Sequence, residues 1–268
     1  MSAKVKIMGI VNVNGDSFFS GSRVAGLAEA AERTALLFEQ GADAVDIGAC
    51  SSRPGSVYEG EDVEWSRLEG VLQTLRREFP GKLFSIDTFS SRIVQRAFDA
   101  IGPFMVNDIT AAQSDPALLR TVVRLGLPYI AMHNLNPPAL GGTPVRPLIE
   151  PREGEGVVEN VLRFFESFSL EAEAAGLAEW ILDPGFGFGK SVEENLVLMD
   201  GLERLQRFGR EILIGVSRKR MTWQKQGLSA QEALPETLRL EKVAIGKGAA
   251  WVRCHDVREL VESLECRV

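Results

Sequence analysis

The sequence predicts a (β/α)8 barrel, and three observations carry that expectation. Eight short apolar runs alternate with amphipathic stretches along the 268 residues. The runs are near-continuously apolar, as buried parallel strands are, and their alternation with helices implies right-handed crossovers. Seven of the runs end in polar residues that a buried strand has no reason to carry, and barrel sites are built at such carboxyl ends. Alternation alone would also allow a doubly wound open sheet, but the polar strand ends favour the barrel.

The elements follow in order. "KIMGIVNV" (6 to 13) delivers Asn12, and in "GLAEAAERTALLFEQG" Leu27, Ala30, Ala31, Thr34, Leu37 and Phe38 share a helix face. "AVDIGA" (44 to 49) carries Asp46 mid-run, expected to point inward and brace its neighbours, and leads to Arg53 in "SSRPGS". "LFSIDT" (83 to 88) ends in Asp87, before a helix in "SSRIVQRAFDA" with Ile93, Val94, Ala97 and Phe98 aligned. "FMVNDI" (104 to 109) supplies Asn107 and Asp108. In "SDPALLRTVVRLG" Ser114 or Asp115 caps, Pro116 sits in the first turn, Leu118, Leu119, Val122 and Val123 form a stripe, and Gly126 closes left-handed.

"YIAMH" (129 to 133) ends in His133, read as a buried, hydrogen-bonded residue beneath the site rather than a ligand contact. The Pro- and Gly-rich stretch 134 to 156 is expected over or beside the mouth. "WILDP" (180 to 184) supplies Asp183, "ILIGVS" (212 to 217) Ser217 and then Lys219, and "AAWVRCH" (249 to 255) Arg253 and His255. Asp108 and Asp256 also suit helix capping.

A net charge of −7 argues against nucleic-acid or anionic-membrane partners, which need a broad basic surface. No apolar run approaches the roughly 18 residues of a spanning helix, and "MSAKVKIMGIVNV" lacks a cleavable-leader pattern, so the cytoplasm is expected. Cys50, Cys254 and Cys266 are an odd set without metal-ligand spacing and are read as free thiols outside the chemistry.

"LDPGFGFGKS" (182 to 191) resembles a phosphate-binding loop, but the required first glycine falls on Pro184. Ser191 with Glu194 instead makes a capping box for a helix with Val192, Leu196 and Met199 inward. The glycines are then expected to let the backbone approach a flat ligand.

Two carboxylates and an amide at strand ends (Asp87, Asn107, Asp183) suit a ring edge with an exocyclic amine and a ring N–H. Arg53, Arg253 and His255 form a cationic cluster fit for a diphosphate, with the Asn12 carbonyl as a ligand for Mg²⁺. Together they imply an aminopyrimidine-type heterocycle bearing a diphosphate leaving group.

The segments "MGIVNVNGDSFFSGSR", "GADAVDIGACSSRPGS", "SIDT", "VNDI", "AMH", "ILDPGFGFGK", "GVSRK" and "VRCHDV" resemble, in this order and over nearly the whole chain, the dihydropteroate synthase family. The resemblance implies one pterin-binding barrel domain over 1–268. It also implies a folate-pathway transferase joining 6-hydroxymethyl-7,8-dihydropterin diphosphate to 4-aminobenzoate with loss of diphosphate. By carry-over, Asp87, Asn107, Asp183 and Lys219 hold the pterin, and Arg253 stacks on its ring. Asn12 binds Mg²⁺ and diphosphate, while Arg53, Arg253 and His255 hold the diphosphate. Phe18, Ser52, Arg53, Lys219 and Arg220 face the aminobenzoate. The catalytic set is then Asn12, Arg53, Lys219, Arg253 and His255, in a homodimer with small-molecule substrates.

The departures lie on the aminobenzoate side. The first loop reads Asn14-Gly15-Asp16-Ser17-Phe18 where the family commonly has Thr-Pro-Asp-Ser-Phe. Cys50 stands for a glutamate, and Arg220 for a serine. They keep open a second reading, a pterin-binding paralogue with a lost or changed second substrate.

Overall fold

The computed structural model describes residues 4–13, 26–50, 58–140, 145 and 148–265. Eight parallel strands close into a barrel in sequence order: β1 (Lys6–Asn12), β2 (Ala44–Gly48), β3 (Leu83–Asp87), β4 (Met105–Asp108), β5 (Tyr129–Met132), β6 (Trp180–Asp183), β7 (Ile212–Ile214) and β8 (Ala249–Cys254). β1 pairs with both β2 and β8, so the sheet has no edge and the open-sheet alternative falls.

The helices α1 (Leu27–Glu39), α2 (Glu61–Glu78), α3 (Ser91–Ile101), α4 (Leu118–Leu125), α5 (Val157–Ala175), α6 (Val192–Asp200), α7 (Leu234–Gly246) and α8 (Val257–Glu265) alternate with the strands. None is long and apolar enough to cross a membrane.

Two apolar layers result. One lies between sheet and helices, with Leu37, Leu72, Phe165 and Phe168 fully buried. The other fills the barrel: Met8, Ala44, Met105, Ile130, Ile181, Leu213 and Trp251, one each from seven strands. Interior side chains recur every second residue along a strand, so the positions two and four residues onward from this layer form the floor and the mouth. One register row at the mouth reads Asn12, Gly48, Asp87, Asn107 across β1 to β4.

Helix ends and faces mostly follow local sequence. Ser90 caps α3 through the Ile93 amide, Gly126 closes α4 at φ 64°, and Ser191 with Glu194 forms the full capping box of α6. α4 itself starts at Leu118, with Asp115 accepting from the Ala117 amide one turn earlier. Two faces differ from expectation. Leu27 is half exposed at the start of α1, and the buried face of α6 is Asn195, Leu198 and Met199, with Val192 and Leu196 only partly covered.

Candidate active site

The carboxyl ends of the strands carry a connected polar floor. Asp46, on β2 and fully buried, accepts from Asn107 Nδ2 of β4 at 3.0 Å and from Arg253 Nε of β8 at 2.7 Å. Arg253 Nη2 reaches Asp87 Oδ2 of β3 at 3.2 Å. Thus Asp46 braces its neighbours, and three of the expected ring-binding residues form one hydrogen-bonded chain. Gly48 lies between Asn12 and Asp87: a Cβ there would stand 3.5 Å from Asn12 Oδ1 and 3.3 Å from Asp87 Cβ. A side chain at position 48 would therefore crowd the mouth.

Burial shapes the charges. Desolvation, then the nearby Asp46, holds the Asp87 carboxyl well above the usual carboxylate range, against the pull of Arg253. Desolvation likewise raises Asp183, opposed by Lys219 and the Gly185 amide, which donates to Asp183 Oδ1 at 2.8 Å. Lys219 is pushed down by burial to about 8, with Asp183 pulling upward. Its ammonium donates to the Phe186 carbonyl at 2.5 Å and sits 4.6 Å from the Phe188 ring centre.

Beside this floor lies an apolar shelf of Phe89, Ile109 and Met132, with Tyr58, Leu140 and Phe188 packed against it. It supplies a surface for the face of a flat ring. Its residues come from the end of β5 and from the loops after β2, β3, β4, β5 and β6, so no sequence window contains it.

On the β8 side, Ser217 Oγ is 3.1 Å from His255 Nδ1 and accepts from the His255 amide at 3.2 Å, while Arg33 Nη2 of α1 holds the His255 carbonyl at 2.8 Å. Burial, with Arg253, Arg218, Arg33 and Lys219 around it, drives the His255 imidazole down to about 3. It is neutral near pH 7.

Arg218, at φ 56°, makes a two-pronged pair with Asp256 at 2.9 and 2.8 Å and donates to the carbonyls of Ala230 and Gln231. The Asp256 side chain is therefore spent on Arg218 rather than on capping α8. Asp108 departs from capping too. It accepts from Thr110, the Ala112 amide and Tyr129 Oη, fixing the turn where Ala111 and Ala112 take φ 49° and 62°.

The glycines of the β6–α6 loop pack closely against neighbouring chain. A Cβ on Gly185 (φ 69°) would stand 1.9 Å from the His133 carbonyl, and one on Gly189 (φ 71°) 2.6 Å from Leu135 Cβ. Gly187 (φ 83°) has only the Lys219 stem nearby. Gly185 and Gly189 are thus demanded by the chain segment after β5, while Gly187 faces the side chain of Lys219.

Lys190, buried inside this loop, donates to the carbonyls of Gly185 at 2.8 Å and of His133 and Phe188 at 3.3 Å. Reading the sequence does not find this use, because only the crossing of two loops creates it.

His133 is buried, with Nε2 2.9 Å from Asn160 Oδ1 of α5 and its ring edge on Phe164. Desolvation holds it well below its ordinary range. Arg220 is exposed and donates to Gln224. Cys50 and Cys254 are free thiols pushed upward by burial. Phe18, Ser52 and Arg53 lie outside the described residues, as does Cys266.

The family model for "Pterin binding enzyme" matches residues 8–255. A dihydropteroate synthase of Clostridium beijerinckii is 32% identical over 256 residues, 94% of this chain and 89% of that protein. Among solved structures, the Xanthomonas albilineans dihydropteroate synthase with 4-aminobenzoic acid superposes with a TM-score of 0.84 at 33% identity, covering 98% of this chain and 92% of that one. The Yersinia pestis dihydropteroate synthase with a sulfonamide drug gives 0.86 at 31%, covering 98% and 93%.

Proposed function

The chain belongs to the dihydropteroate synthase family of pterin-binding enzymes, and we propose from that premise which of its residues perform each part of the reaction. It is a transferase of folate biosynthesis, condensing 6-hydroxymethyl-7,8-dihydropterin diphosphate with 4-aminobenzoate to 7,8-dihydropteroate and diphosphate.

Asp183, Asp87 and Asn107 take the amine-bearing edge of the pterin, and Lys219 donates to its ring acceptors. The shelf of Ile109, Met132 and Phe188 covers one face, and the Arg253 guanidinium stacks on the other. The observation that carries these roles is the convergence of Asp87, Asn107 and Arg253 on one hydrogen-bonded chain through Asp46, with Asp183 beside Lys219. Each carboxylate costs the free protein desolvation that a donor edge would relieve.

Arg253, His255, Arg53 and Asn12 hold the diphosphate. The neutral imidazole donates a hydrogen bond, and the guanidinium groups take the charge that develops on the leaving group. Among the described residues no cluster of three His, Cys, Asp or Glu forms a metal cage. The Asn12 side-chain carbonyl, a hard oxygen donor at the mouth, would hold a Mg²⁺. Bound there, the ion would supply neutralisation of the leaving group's negative charge. The pterin methylene loses diphosphate as the dihydropterin ring delocalises positive charge. The arylamine nitrogen then forms its bond to the methylene carbon and sheds one proton to solvent or to the departing diphosphate, so the residues assigned to it, Phe18, Ser52, Arg53, Lys219 and Arg220, orient it rather than act as a base.

The test is product formation by the purified protein with both substrates and Mg²⁺. Wild type should turn over, and Asp183→Ala and Arg253→Ala should each lose roughly 100-fold or more in kcat/KM. A wild type that binds the dihydropterin diphosphate by calorimetry but forms no dihydropteroate would leave the pterin roles standing and overturn the aminobenzoate ones. The homodimer belongs to the same proposal, and light scattering of the purified chain decides it.

A further inference from the structure

The Gly-Lys-Ser end of the glycine loop holds no phosphate by its spacing, yet its lysine is buried and aimed inward. A buried ammonium is tolerated only where acceptors replace its water. Here they are three carbonyl oxygens: Gly185 at 2.8 Å, and Phe188 and His133 at 3.3 Å. Two belong to the loop after β6 and one to the residue after β5, so the ammonium ties together two loops whose backbones already touch at Gly185.

The same loop carries one group assigned to the pterin pocket and holds another. Its first turn begins at Asp183, whose Oδ1 accepts from the Gly185 amide, and its Phe186 carbonyl accepts from Lys219. Asn195 closes the far side, accepting from the Gly187 amide and donating to the Lys190 and Ser191 carbonyls.

We propose that Lys190 is a positioning residue for pterin recognition: its ammonium, caged by the carbonyls of His133, Gly185 and Phe188, pre-forms the loop that aims Asp183 and anchors Lys219. The proposal rests on the assignment of Asp183 to the pterin. Lys190 touches neither substrate and contributes through the shape of the loop alone.

Calorimetry with 6-hydroxymethyl-7,8-dihydropterin diphosphate on wild type, Asp183→Ala, Lys190→Met and Lys190→Arg tests it, with steady-state kinetics alongside. Methionine keeps the length and removes charge and donors, whereas arginine keeps both. Expected are a loss of pterin affinity of roughly tenfold or more in Lys190→Met, partial recovery in Lys190→Arg, and a KM for 4-aminobenzoate that changes far less than the pterin Kd. A folded Lys190→Met protein with wild-type pterin affinity overturns the proposal. So does a variant in which both substrates weaken equally.

Hydrogen exchange on the wild-type protein decides the matter where the methionine variant does not fold. The amides of 185–190 should be protected before pterin is added and gain little on binding, whereas free exchange without ligand overturns the pre-formed loop. Failure of wild type itself to bind the pterin, or unchanged binding in Asp183→Ala, sinks the functional assignment on which the proposal rests. An Asp183-dependent wild type with an unaffected Lys190→Met sinks only the proposal.

Discussion

Burial raises the Asp183 carboxyl above its ordinary range, while Lys219, the Gly185 amide and Lys190 pull the other way. An acid whose folded pKa exceeds its unfolded value of about 3.9 is a liability that is absent at low pH and grows as pH rises through the folded pKa. Asp183→Asn keeps an oxygen for the Gly185 amide and removes that liability. The variant should therefore melt above wild type at pH 8, with the gap shrinking toward pH 4, and should lose pterin binding. Melting curves at several pH values check the sign, and a gap that widens on acidification refutes it. His255 shows the opposite case: a base held neutral by burial and by the cations around it. Diphosphate brought among those cations should raise the imidazole pKa from about 3, with proton uptake on binding only in acid, between the free and the bound pKa. NMR of the imidazole with inorganic pyrophosphate measures this, and an unmoved titration removes His255 from the anion site. At this scale Asp87, Asn107, Asp183 and Arg253 were legible because a polar or charged residue at the end of an apolar run is conspicuous. Arg33 was not, since an exposed-looking helix arginine gives no local sign of reaching the His255 carbonyl.

Loops set the geometry at the next scale. The β6–α6 loop takes three glycines with positive φ in five residues, and at Gly185 an added methyl would enter the van der Waals space of the His133 carbonyl. Backbone cannot yield there as a side-chain tip can, so Gly185→Ala should destabilise by about 3 kcal/mol or more, or roughly 6–12 °C in Tm for a chain of this size. A thermal melt within 2 °C or so of wild type would contradict the contact. The Arg218–Asp256 pair fixes the next two loops against each other, with side-chain exposures of 8% and 12%. Removing one member leaves the other charge buried, so Asp256→Ala should cost about 3 kcal/mol. It should also weaken pyrophosphate binding, since Asp256 adjoins His255. The capping box at Ser191 was legible because it is written within four residues. The close packing at Gly185 and Gly189 was not, because its partner is the segment after β5, some fifty residues earlier in the chain.

Across the whole molecule, height along the barrel axis separates stability from chemistry. At the amino-terminal end Glu211 accepts from Lys6 at 2.8 Å and from Trp251 Nε1 at 2.7 Å, beside a cavity of about 290 Å³ lined by Met105, Ile181 and Trp251. Both members of that ion pair are more than 40% exposed, and such pairs contribute about 0–1 kcal/mol. Above it lies the apolar layer of Met8, Ile130 and Leu213, and above that Asp46, with no exposure at all. Alternation together with the polar strand ends predicted the closed barrel and the strand ends that gather at its mouth. It also marked Asp46 as inward, but the partner that makes it matter, Arg253, is 207 residues away. Two carboxylates in one barrel thus make a paired experiment. Glu211→Gln should shift stability by about 1 kcal/mol or less and leave both KM values and kcat as they were. Asp46→Asn keeps the shape but removes a charge, leaving Asp87 as the one carboxylate paired with Arg253 among the described residues, so kcat/KM for the pterin diphosphate should fall about 10- to 100-fold, or ~1.4–2.7 kcal/mol in transition-state stabilisation. The loss should exceed any change in the KM for 4-aminobenzoate. If Glu211→Gln impairs turnover as much as Asp46→Asn does, the division of the barrel into a stabilising end and a reacting end is wrong.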